Sequence, residues 1–252
     1  MDQPWERFSG RAQAYLQGRP GYPEALVRAL MEQADLKPLS PVADVGAGTG
    51  LWSLQLAKAG LKVTCIEPGE DMRSACRETL KDYPVKILAG AAERLPLPNC
   101  SYKMITAAQA FHWFDPQAFR AECLRVLASG GLVALVWNNL DYTAAPLARQ
   151  VKVQEACCPK FHHLKGLSAQ GPAALEGFFG IPWETLSYPN DLYVNRQGYL
   201  NRILSSSYAL SPEDPGYASY MAQIEAIFDE YAQGGVLRLP QRTCCYWARL
   251  KP

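Results

Sequence analysis

A glycine-rich turn between a short apolar strand and a helix constrains the fold of this chain more than any other feature. The stretch VADVGAGTG covers residues 42–50 and leads into LWSLQLAKA, a run with the composition of a helix. Glycine lets the backbone turn tightly and lets a ligand approach it closely. A tight turn alone would need no ligand. The order strand, glycine turn, helix is instead typical of nucleotide-binding units.

The spacing of the glycines distinguishes between nucleotide cofactors. A dinucleotide-binding turn has the pattern G-x-G-x-x-G or A, in which the third small residue lets helix and strand pack closely. Counted from Gly46, that position holds the bulky Leu51, and Gly50 lies one place earlier. This disfavours NAD and FAD. A G-x-G-x-G turn preceded by Asp44 fits a ligand without a pyrophosphate, which presses an amino acid moiety and a ribose against the backbone.

An acidic residue at the end of the second predicted strand supports the same interpretation. Glu67 ends the strand 62–67, and its carboxylate can accept hydrogen bonds from both hydroxyls of a ribose. Met72 follows five residues later, where its side chain can lie against an adenine face. The alternative for Glu67 is an ordinary acid at a helix start.

Strands and helices alternate on both sides of this turn. Strands are predicted at 42–45, 62–67, 85–88, 102–107 and 132–137, and helices at 23–34, 51–59, 70–80 and 116–127, the last ended by Gly130-Gly131. This order indicates a parallel sheet flanked by helices. After residue 138 the rhythm breaks. Helical segments follow at 145–157, 197–206 and 212–233, and extended segments at 183–194 and 236–250 are predicted to complete the sheet as an antiparallel pair.

We therefore predict an α/β fold: a Rossmann-like, mostly parallel sheet with helices on both faces, an antiparallel C-terminal hairpin and a helical lid insertion. The chain is predicted to form a single domain of four parts. These are an N-terminal arm and helix (1–40), a cofactor-binding core (41–137), a lid and substrate region with one sheet strand (138–235), and a C-terminal strand (236–252). The lid is expected over the carboxyl ends of the strands, where ligands bind in such sheets.

Composition and charge limit the kinds of partner. Lysine and arginine number 25 against 24 acidic residues, a formal charge of +1, and no basic stripe is present. A small-molecule substrate is therefore expected rather than a nucleic acid. No signal peptide and no window of about 20 apolar residues is seen, so a cytoplasmic protein without a membrane partner is predicted. The composition is compatible with a monomer but does not determine the oligomeric state.

The eight cysteines are expected to be free thiols, because a reducing compartment disfavours disulfides. A doublet, Cys157-Cys158, is followed by Pro159 and by His162-His163. This spacing fits no common zinc pattern, and no metal is predicted.

Five stretches together resemble the class I S-adenosylmethionine-dependent methyltransferases. They are DVGAGTG at 44–50, IEP at 66–68, AAERLPLP at 91–98, QAFHWFD at 109–115 and VLASGG at 126–131. In this order they cover about residues 40–137. A weaker likeness at Phe8, Tyr15, 19–23 and 205–208 is similar to a small-molecule subgroup that includes trans-aconitate methyltransferases.

The resemblance implies S-adenosylmethionine as the cofactor and S-adenosylhomocysteine as its product. The cofactor-binding residues that it implies are Tyr15, Arg19, Asp44, Gly46, Ala47, Gly48, Gly50, Glu67, Pro68, Met72, Ala91, Ala92, Glu93 and Gln109. The glycine turn and Asp44 would hold the methionine portion, and Gln109 would close over it. Tyr15 and Arg19 would cover the cofactor, with Arg19 as a partner for its carboxylate.

The adenosine half of the implied site departs from the family at one position. Glu67 would bind the ribose, Met72 would contact the adenine, and Ala92 would offer its backbone amide to the adenine edge. Many relatives carry an aspartate at the position of Ala91, which binds the adenine amino group. Alanine cannot do so, and this contact is either missing or supplied by another group such as Glu93.

Methyl transfer requires an acceptor held in line behind the methyl group and the exclusion of water. His112 follows the fourth strand and is the candidate catalytic residue, as a base or a hydrogen-bond partner of the substrate. The alternative is that His112 and Trp113 pack structurally and order the loop. The candidate substrate contacts are Trp113, Asn138, Tyr199 and Tyr208. Asn138 would alternatively end a strand.

These observations predict a methyltransferase that acts on a small molecule by in-line transfer to a carboxylate, a hydroxyl or an acidic carbon. The alternative is a protein that binds S-adenosylmethionine without methylating, either as an inactive partner or sensor or in a rearrangement. The acceptor is not identified by sequence, because one fold hosts many chemistries and the pocket decides among them.

Overall fold

The computed structural model describes residues 21–161, 171–206 and 208–250. The strands are β1 (Pro41–Val45), β2 (Lys62–Ile66), β3 (Lys86–Leu88), β4 (Tyr102–Ala108), β5 (Leu127–Leu140), β6 (Glu184–Pro189), β7 (Leu192–Asn195), β8 (Val236–Leu239) and β9 (Gln241–Arg249). The helices are α1 (Glu24–Gln33), α2 (Leu51–Lys58), α3 (Glu70–Thr79), α4 (Pro116–Val126), α5 (Ala145–Cys157), α6 (Gly171–Phe179), α7 (Arg196–Leu204) and α8 (Tyr217–Tyr231). A single 3₁₀ turn, Phe111–Trp113, follows β4 in this part of the chain.

Seven of the described strands form one sheet in the order β3-β2-β1-β4-β5-β9-β6. Neighbours from β3 to β5 are parallel, and β9 runs antiparallel to both β5 and β6. The strand order reverses between β1 and β4, which makes this pair a topological switch point. The predicted mostly parallel, Rossmann-like sheet is confirmed.

Helices cover both faces of this sheet, because its central strands carry apolar side chains on both sides. In β5, Leu132, Ala134 and Val136 pack with α1, α2 and α3. The alternate residues Val133, Leu135 and Trp137 pack with α4 and α6 on the opposite face. Burying one such large side chain contributes about 1.5–3 kcal/mol. The predicted continuous apolar strand is thus the centre of the core.

A third apolar cluster lies outside the sheet and unites α5, α7 and α8 with a two-stranded sheet made of β7 and β8. We call these elements the helical region. Its first helix follows the carboxyl end of β5. Helix α6 and strand β6 lie in the same part of the sequence but belong to the main sheet and its cover. The segment predicted as lid is therefore divided between two structural units.

The two segments predicted to form a C-terminal antiparallel pair, 183–194 and 236–250, are each divided by a bend into two strands. β6 and β9 pair within the main sheet, whereas β7 and β8 pair separately. Pro240 lies between β8 and β9 and has no N–H to continue a ladder. Asp191 lies in the bend between β6 and β7 and connects it to the bend at Pro240. Its carboxylate accepts hydrogen bonds from Arg238 Nε at 2.6 Å and from the Gln241 backbone N–H at 3.2 Å.

One helix boundary and one additional helix after β5 also differ from the sequence prediction. Helix α8 begins at Tyr217 rather than at residue 212. Pro215 disfavours helix in the residue before it, and the Asp214 carboxylate instead accepts the Ser211 N–H at 2.7 Å, which makes a local turn. Helix α6 was not predicted, although apolar Leu175 and Phe178 at helical spacing indicate it.

Near the fourth helix the prediction also needs correction. Gly130 and Gly131 do not end that helix, which stops at Val126; they lie within β5, which already begins at Leu127. β5 also continues past residue 137 to Leu140, because β9 remains available as a pairing partner.

Candidate functional site

The loops that follow β1, β2, β3 and β4 surround a cleft at the carboxyl edge of the sheet. The cleft holds about 760 Å³ of space, part of it open to solvent. The residues that line it are Gly46, Gly48, Glu67, Pro68, Met72, Gly90, Ala91, Ala92, Glu93, Gln109, Ala110, Trp113 and Phe114. Its place at the switch point is where open α/β sheets bind ligands.

The three glycines of the turn after β1 have different structural roles. All three have positive φ, which side-chain-bearing residues rarely adopt. A Cβ on Gly46 would lie 2.6 Å from the Ala110 Cβ, and one on Gly50 would lie 2.9 Å from Cys76 Sγ. Gly46 and Gly50 therefore permit close packing. A Cβ on Gly48 would meet nothing within 4 Å and would project into open space.

Glu67 directly follows β2, and its carboxylate is held by two backbone N–H groups. Gly48 donates to Oε2 and Gly69 donates to Oε1, each at 2.9 Å. Burial raises the pKa of Glu67, while these two hydrogen bonds and the nearby Arg73 guanidinium oppose that rise. The carboxylate thus joins the glycine turn to the loop after β2 and is part of the cleft wall.

Asp44 is the penultimate residue of β1 and lies beneath the glycine turn. It does not line the cleft. Ser53 donates to its Oδ2 at 2.5 Å, and Thr106 donates to its Oδ1 at 3.2 Å. The pKa of Asp44 is raised to about 7, chiefly by burial and further by the Glu67 carboxylate, while the two hydroxyl hydrogen bonds oppose this rise. Asp44 therefore changes charge near neutral pH.

Asp44→Asn is expected to stabilise the ligand-free protein at alkaline pH. The folded pKa of about 7 exceeds the unfolded value, so the favourable contribution of the bound proton is complete at low pH and is lost as pH rises through 7. An asparagine carries no charge to bury. We expect a gain in the free energy of unfolding on the order of 1–3 kcal/mol at pH 8, which shrinks toward pH 5.

Urea unfolding of the wild type, Asp44→Asn and the control Asp82→Asn at pH 5 and pH 8 measures this difference. Asp82 is exposed, and its substitution should change little at either pH. An Asp44→Asn effect of the same size at both pH values would contradict the assigned titration.

Gln109 follows β4 in the left-handed backbone region, with φ of +56°. Such a conformation costs a non-glycine residue on the order of 1–3 kcal/mol and persists only where the surroundings impose it. The Gln109 N–H donates to the Val136 carbonyl at 2.8 Å, and its Nε2 donates to the Asn138 carbonyl at 3.2 Å. β5 thereby holds Gln109 at the cleft, where the strained backbone is compatible with a functional role.

Glu93 approaches the cleft from the loop after β3. Its Oε1 accepts the backbone N–H of Asp115 at 2.9 Å. Asp115 is the N-cap of α4 and accepts the N–H groups of Gln117 and Ala118. The neighbouring Ala91 lines the cleft without a polar side chain. Glu93 is thus a carboxylate of the cleft with one oxygen engaged by the protein backbone.

The 3₁₀ turn after β4 carries the candidate catalytic residue. The rings of His112 and Trp113 lie 5.0 Å apart. Trp113 is 40% exposed and lines the cleft. His112 is half-buried beside it and is not among the residues that line the cleft. The structure therefore brings Trp113 to the cleft, whereas His112 packs beside Trp113 without lining the cleft.

Asn138, a candidate substrate contact, lies in a polar network at the end of the sheet. Its Oδ1 accepts from Thr243 Oγ1 at 2.5 Å and from Asn190 Nδ2 at 3.2 Å. Its Nδ2 donates to the carbonyl of Gly21 at 3.4 Å. The side chain therefore connects the residue after β6, strand β9 and the segment before α1, and the structure does not bring it into the cleft.

Neither candidate tyrosine lies in the cleft wall. Tyr199 is fully buried in the helical region, and its hydroxyl donates to Gln150 Oε1 at 3.3 Å. Tyr208 packs its ring against Phe161, at 4.9 Å between centroids. Both side chains contribute to the interior or cover of the helical region, because that region has its own apolar core.

The implied cofactor residues fall into three groups. Those that line the cleft are Gly46, Gly48, Glu67, Pro68, Met72, Ala91, Ala92, Glu93 and Gln109. Asp44 lies beneath the turn, and Ala47 and Gly50 belong to the turn without lining the cleft. Tyr15 and Arg19 lie outside the described residues. Gly90, Ala110 and Phe114 also line the cleft and were not predicted, although each adjoins a predicted residue in the same loop.

Residues 21–161, 171–206 and 208–250 contain neither a metal-binding cluster nor a membrane-spanning helix. No three His, Cys, Asp or Glu side chains come together there in a metal-binding arrangement. Of the helices in the same ranges, none has the length and apolar character to cross a membrane.

Comparison with known proteins identifies the family of the cleft-bearing part. Residues 43–135 match the methyltransferase domain family. An uncharacterised methyltransferase of Mycobacterium tuberculosis is 37% identical over 134 residues, 53% of this chain and 53% of that protein. A malonyl-[acyl-carrier protein] O-methyltransferase of Bacteroides thetaiotaomicron is 31% identical over 114 residues, 42% of this chain and 41% of that protein. The chain thus matches about half the length of the first of these relatives.

The fold comparison covers nearly the whole chain. A structure from Anaeromyxobacter dehalogenans, provisionally described as a type II methyltransferase, superimposes with a TM-score of 0.64 at 24% identity, over 93% of this chain and 99% of that one. At this identity the likeness concerns the fold alone. The sequence matches place residues 43–135 in the methyltransferase domain family.

Proposed function

We propose that the whole chain is an S-adenosylmethionine-dependent methyltransferase that acts on a small molecule by in-line methyl transfer. The observation that carries the proposal is the Glu67 carboxylate, fixed at the cleft by the N–H groups of Gly48 and Gly69. A carboxylate can accept about four hydrogen bonds, so each oxygen retains capacity for one more. Two ribose hydroxyls would use that capacity. The residues present therefore fit an adenosine-containing cofactor.

The remaining cleft residues suit the other parts of the same molecule. Gly48 offers open space at the turn for the methionine portion, and Gln109 lies opposite on the loop after β4. Met72 presents an apolar side chain to the cleft for the adenine face. Ala92 provides a backbone amide for the adenine edge. Tyr15 and Arg19 belong to the proposal through the family resemblance.

Glu93 is the proposed substitute for the aspartate that Ala91 replaces. Its Oε1 is anchored by the Asp115 N–H, which leaves Oε2 as an acceptor for the adenine amino group. If this is its role, Glu93→Ala should weaken binding of S-adenosylhomocysteine more than binding of its inosine analogue, which lacks the amino group. Equal weakening of the two ligands would remove Glu93 from the adenine site.

The chemistry follows from position and the exclusion of water. When bound, S-adenosylmethionine supplies a methyl group activated by a sulfonium. The chain must hold an acceptor in line with that methyl, and such orientation can contribute roughly 7 kcal/mol or more. Trp113 and Phe114 provide aromatic surface at the cleft, which favours a dry site. We propose that part of the 138–235 segment, chiefly the helical region, acts as the lid and binds the acceptor.

The proposed acceptor is a small carboxylate, hydroxyl or acidic-carbon compound. The relative from Bacteroides thetaiotaomicron is named as an O-methyltransferase, which supports oxygen as the acceptor atom. A carboxylate acceptor needs no general base. A hydroxyl or acidic carbon would need one, and His112, beside the cleft residue Trp113, is the candidate, at the Nδ1 or Nε2 atom of its ring. The alternative role of His112 is to pack with Trp113 and order the loop.

Calorimetric titration with S-adenosylmethionine, S-adenosylhomocysteine and NADH tests the cofactor. We expect both sulfur compounds to bind and NADH not to bind. Mass spectrometry of products from a panel of small acids and phenols then tests the reaction, since methyl transfer adds CH₂ to the acceptor. Failure of a folded protein to bind either sulfur compound would contradict the proposal.

Two results of the same experiments would favour the alternative. Tight cofactor binding with a product of unchanged mass would indicate a rearrangement. Tight cofactor binding in a protein whose acceptor pocket is occluded would indicate a partner or sensor.

A His112→Ala variant should retain cofactor affinity; a strong loss would exclude His112 from the acceptor side.

A further inference from the structure

Arg73, on the first turns of α3, contacts the loop that carries Glu67. Its guanidinium Nη1 donates to the Glu67 carbonyl at 2.8 Å and to the Pro68 carbonyl at 2.6 Å. Its Nη2 pairs with the Glu70 carboxylate. The side chain is only 12% exposed. One cation thus binds two successive carbonyls of the loop 67–69 from the side of the helix.

The same loop presents the Glu67 carboxylate to the cleft. The Gly69 N–H donates to Oε1, and the Arg73 N–H donates to the Gly69 carbonyl at 2.9 Å. The direction of the Glu67 side chain depends on the orientation of the peptide units at Glu67 and Pro68, and the guanidinium is bound to both of their carbonyl oxygens. Arginine is suited to this, because its rigid planar fork carries several donors.

A simple surface ion pair would not explain this arrangement. Glu70 pairs with Arg77 as well, at 2.9 Å, on the same helix. Arg77 is 53% exposed, and its hydrogen bond goes to Glu70 rather than to the loop 67–69. Arg73 therefore differs from Arg77 in its two hydrogen bonds to the loop carbonyls. The positive charge of Arg73 also favours the ionised form of Glu67, against the effect of burial.

We propose that Arg73 is a positioning residue, which holds the loop 67–69 so that the Glu67 carboxylate faces the two ribose hydroxyls of the cofactor. The inference rests on the proposed function, because it assumes that Glu67 binds a ribose. Arg73 does not touch the cofactor in this arrangement. Its loss should therefore reduce the recognition of the ribose hydroxyls and leave recognition of the rest of the ligand intact.

The experiment compares two ligands on four proteins by calorimetric titration. The ligands are S-adenosylhomocysteine and its 2′,3′-dideoxy analogue, which lacks both ribose hydroxyls. The proteins are the wild type, Arg73→Ala, Arg73→Lys and the matched control Arg77→Ala. Circular dichroism and thermal unfolding establish whether each variant is folded. If Arg73→Ala does not fold, Arg73→Lys still tests the proposal, because it keeps the positive charge but lacks the guanidinium fork.

We expect Arg73→Ala to weaken binding of S-adenosylhomocysteine by about tenfold or more, since charged hydrogen bonds lose their alignment. Binding of the dideoxy analogue should change by less than about twofold, so the preference for the natural ribose shrinks. Arg73→Lys should recover part of that preference, and Arg77→Ala should behave as the wild type.

Different failures have different meanings. Equal weakening of both ligands by Arg73→Ala would overturn the positioning role and make Arg73 a structural residue. An unchanged preference for the natural ribose would overturn it as well. A wild type that binds both ligands equally well would overturn the ribose contact of Glu67, and with it the role of Arg73, while leaving a cofactor site. A folded wild type that binds neither ligand would overturn the proposed function itself.

Discussion

Gly48→Val is expected to abolish binding of S-adenosylmethionine and S-adenosylhomocysteine while the chain remains folded. A Cβ at this position meets no atom within 4 Å, because it projects into the open space beside the turn. The valine side chain would occupy the space proposed for the methionine portion of the cofactor. It would also disturb the N–H of residue 48, which donates to Glu67. We expect affinity to fall by about a thousandfold or more, which corresponds to roughly 4 kcal/mol.

The backbone conformation of Gly48 requires a matched control. Its φ of +55° disfavours a side chain, which costs on the order of 1–2 kcal/mol of stability wherever it occurs. Gly60 also has positive φ and open space around its Cβ position, but it lies in the turn between α2 and β2, away from the cleft. Gly60→Val should lose similar stability and keep full cofactor affinity.

Titration and thermal unfolding of both glycine variants separate strain from ligand blocking. Comparable melting temperatures with binding lost only in Gly48→Val would support the proposed site. Retained affinity in Gly48→Val would mean that the ligand does not approach this turn.

Much of the sheet could be predicted because its signals are local. Each parallel strand is an apolar run that ends in a turn, and β1, β2 and β5 each lie between two helical patterns. The C-terminal part was harder, because the pairing of β6 with β9 joins distant segments such as Leu186 and Cys245. Short-range periodicity does not show where Pro240 divides one extended segment into strands of two different sheets.

The candidate site was predictable to the extent that it follows strand ends. The carboxyl ends of parallel strands meet at one edge, so the glycine turn, Glu67, 91–93 and Gln109 converge. Tyr199 shows the limit of that reasoning, because a tyrosine in an amphipathic helix suits a pocket wall or a core equally well. Arg73 shows another limit. It binds backbone carbonyls, which leave no residue pattern in the sequence.

Glu67→Gln is expected to weaken cofactor binding by about a hundredfold or more without unfolding the protein. The glutamate supplies two acceptor oxygens, and hydrogen bonds to a charged group contribute about 1.5–3 kcal/mol each. A glutamine keeps one acceptor and turns a donor toward the N–H of Gly48 or Gly69, which already needs an acceptor. The substitution also removes a buried charge, which is unfavourable in the folded protein because burial raises the pKa of Glu67. This gain offsets part of the folding stability that the lost hydrogen bond costs.

The readout is the affinity for S-adenosylhomocysteine and for its dideoxy analogue, with Glu78→Gln as the control. Glu78 lies on α3 and pairs with Lys81 at the surface, so its loss should not alter binding. We expect Glu67→Gln to lose most of the preference for the natural ribose. The glycine variant, in contrast, should weaken both ligands, because the methionine portion is common to them. This difference separates the two halves of the cleft: a Glu67→Gln variant that lost both ligands equally would place Glu67 in the support of the turn and not at the ribose.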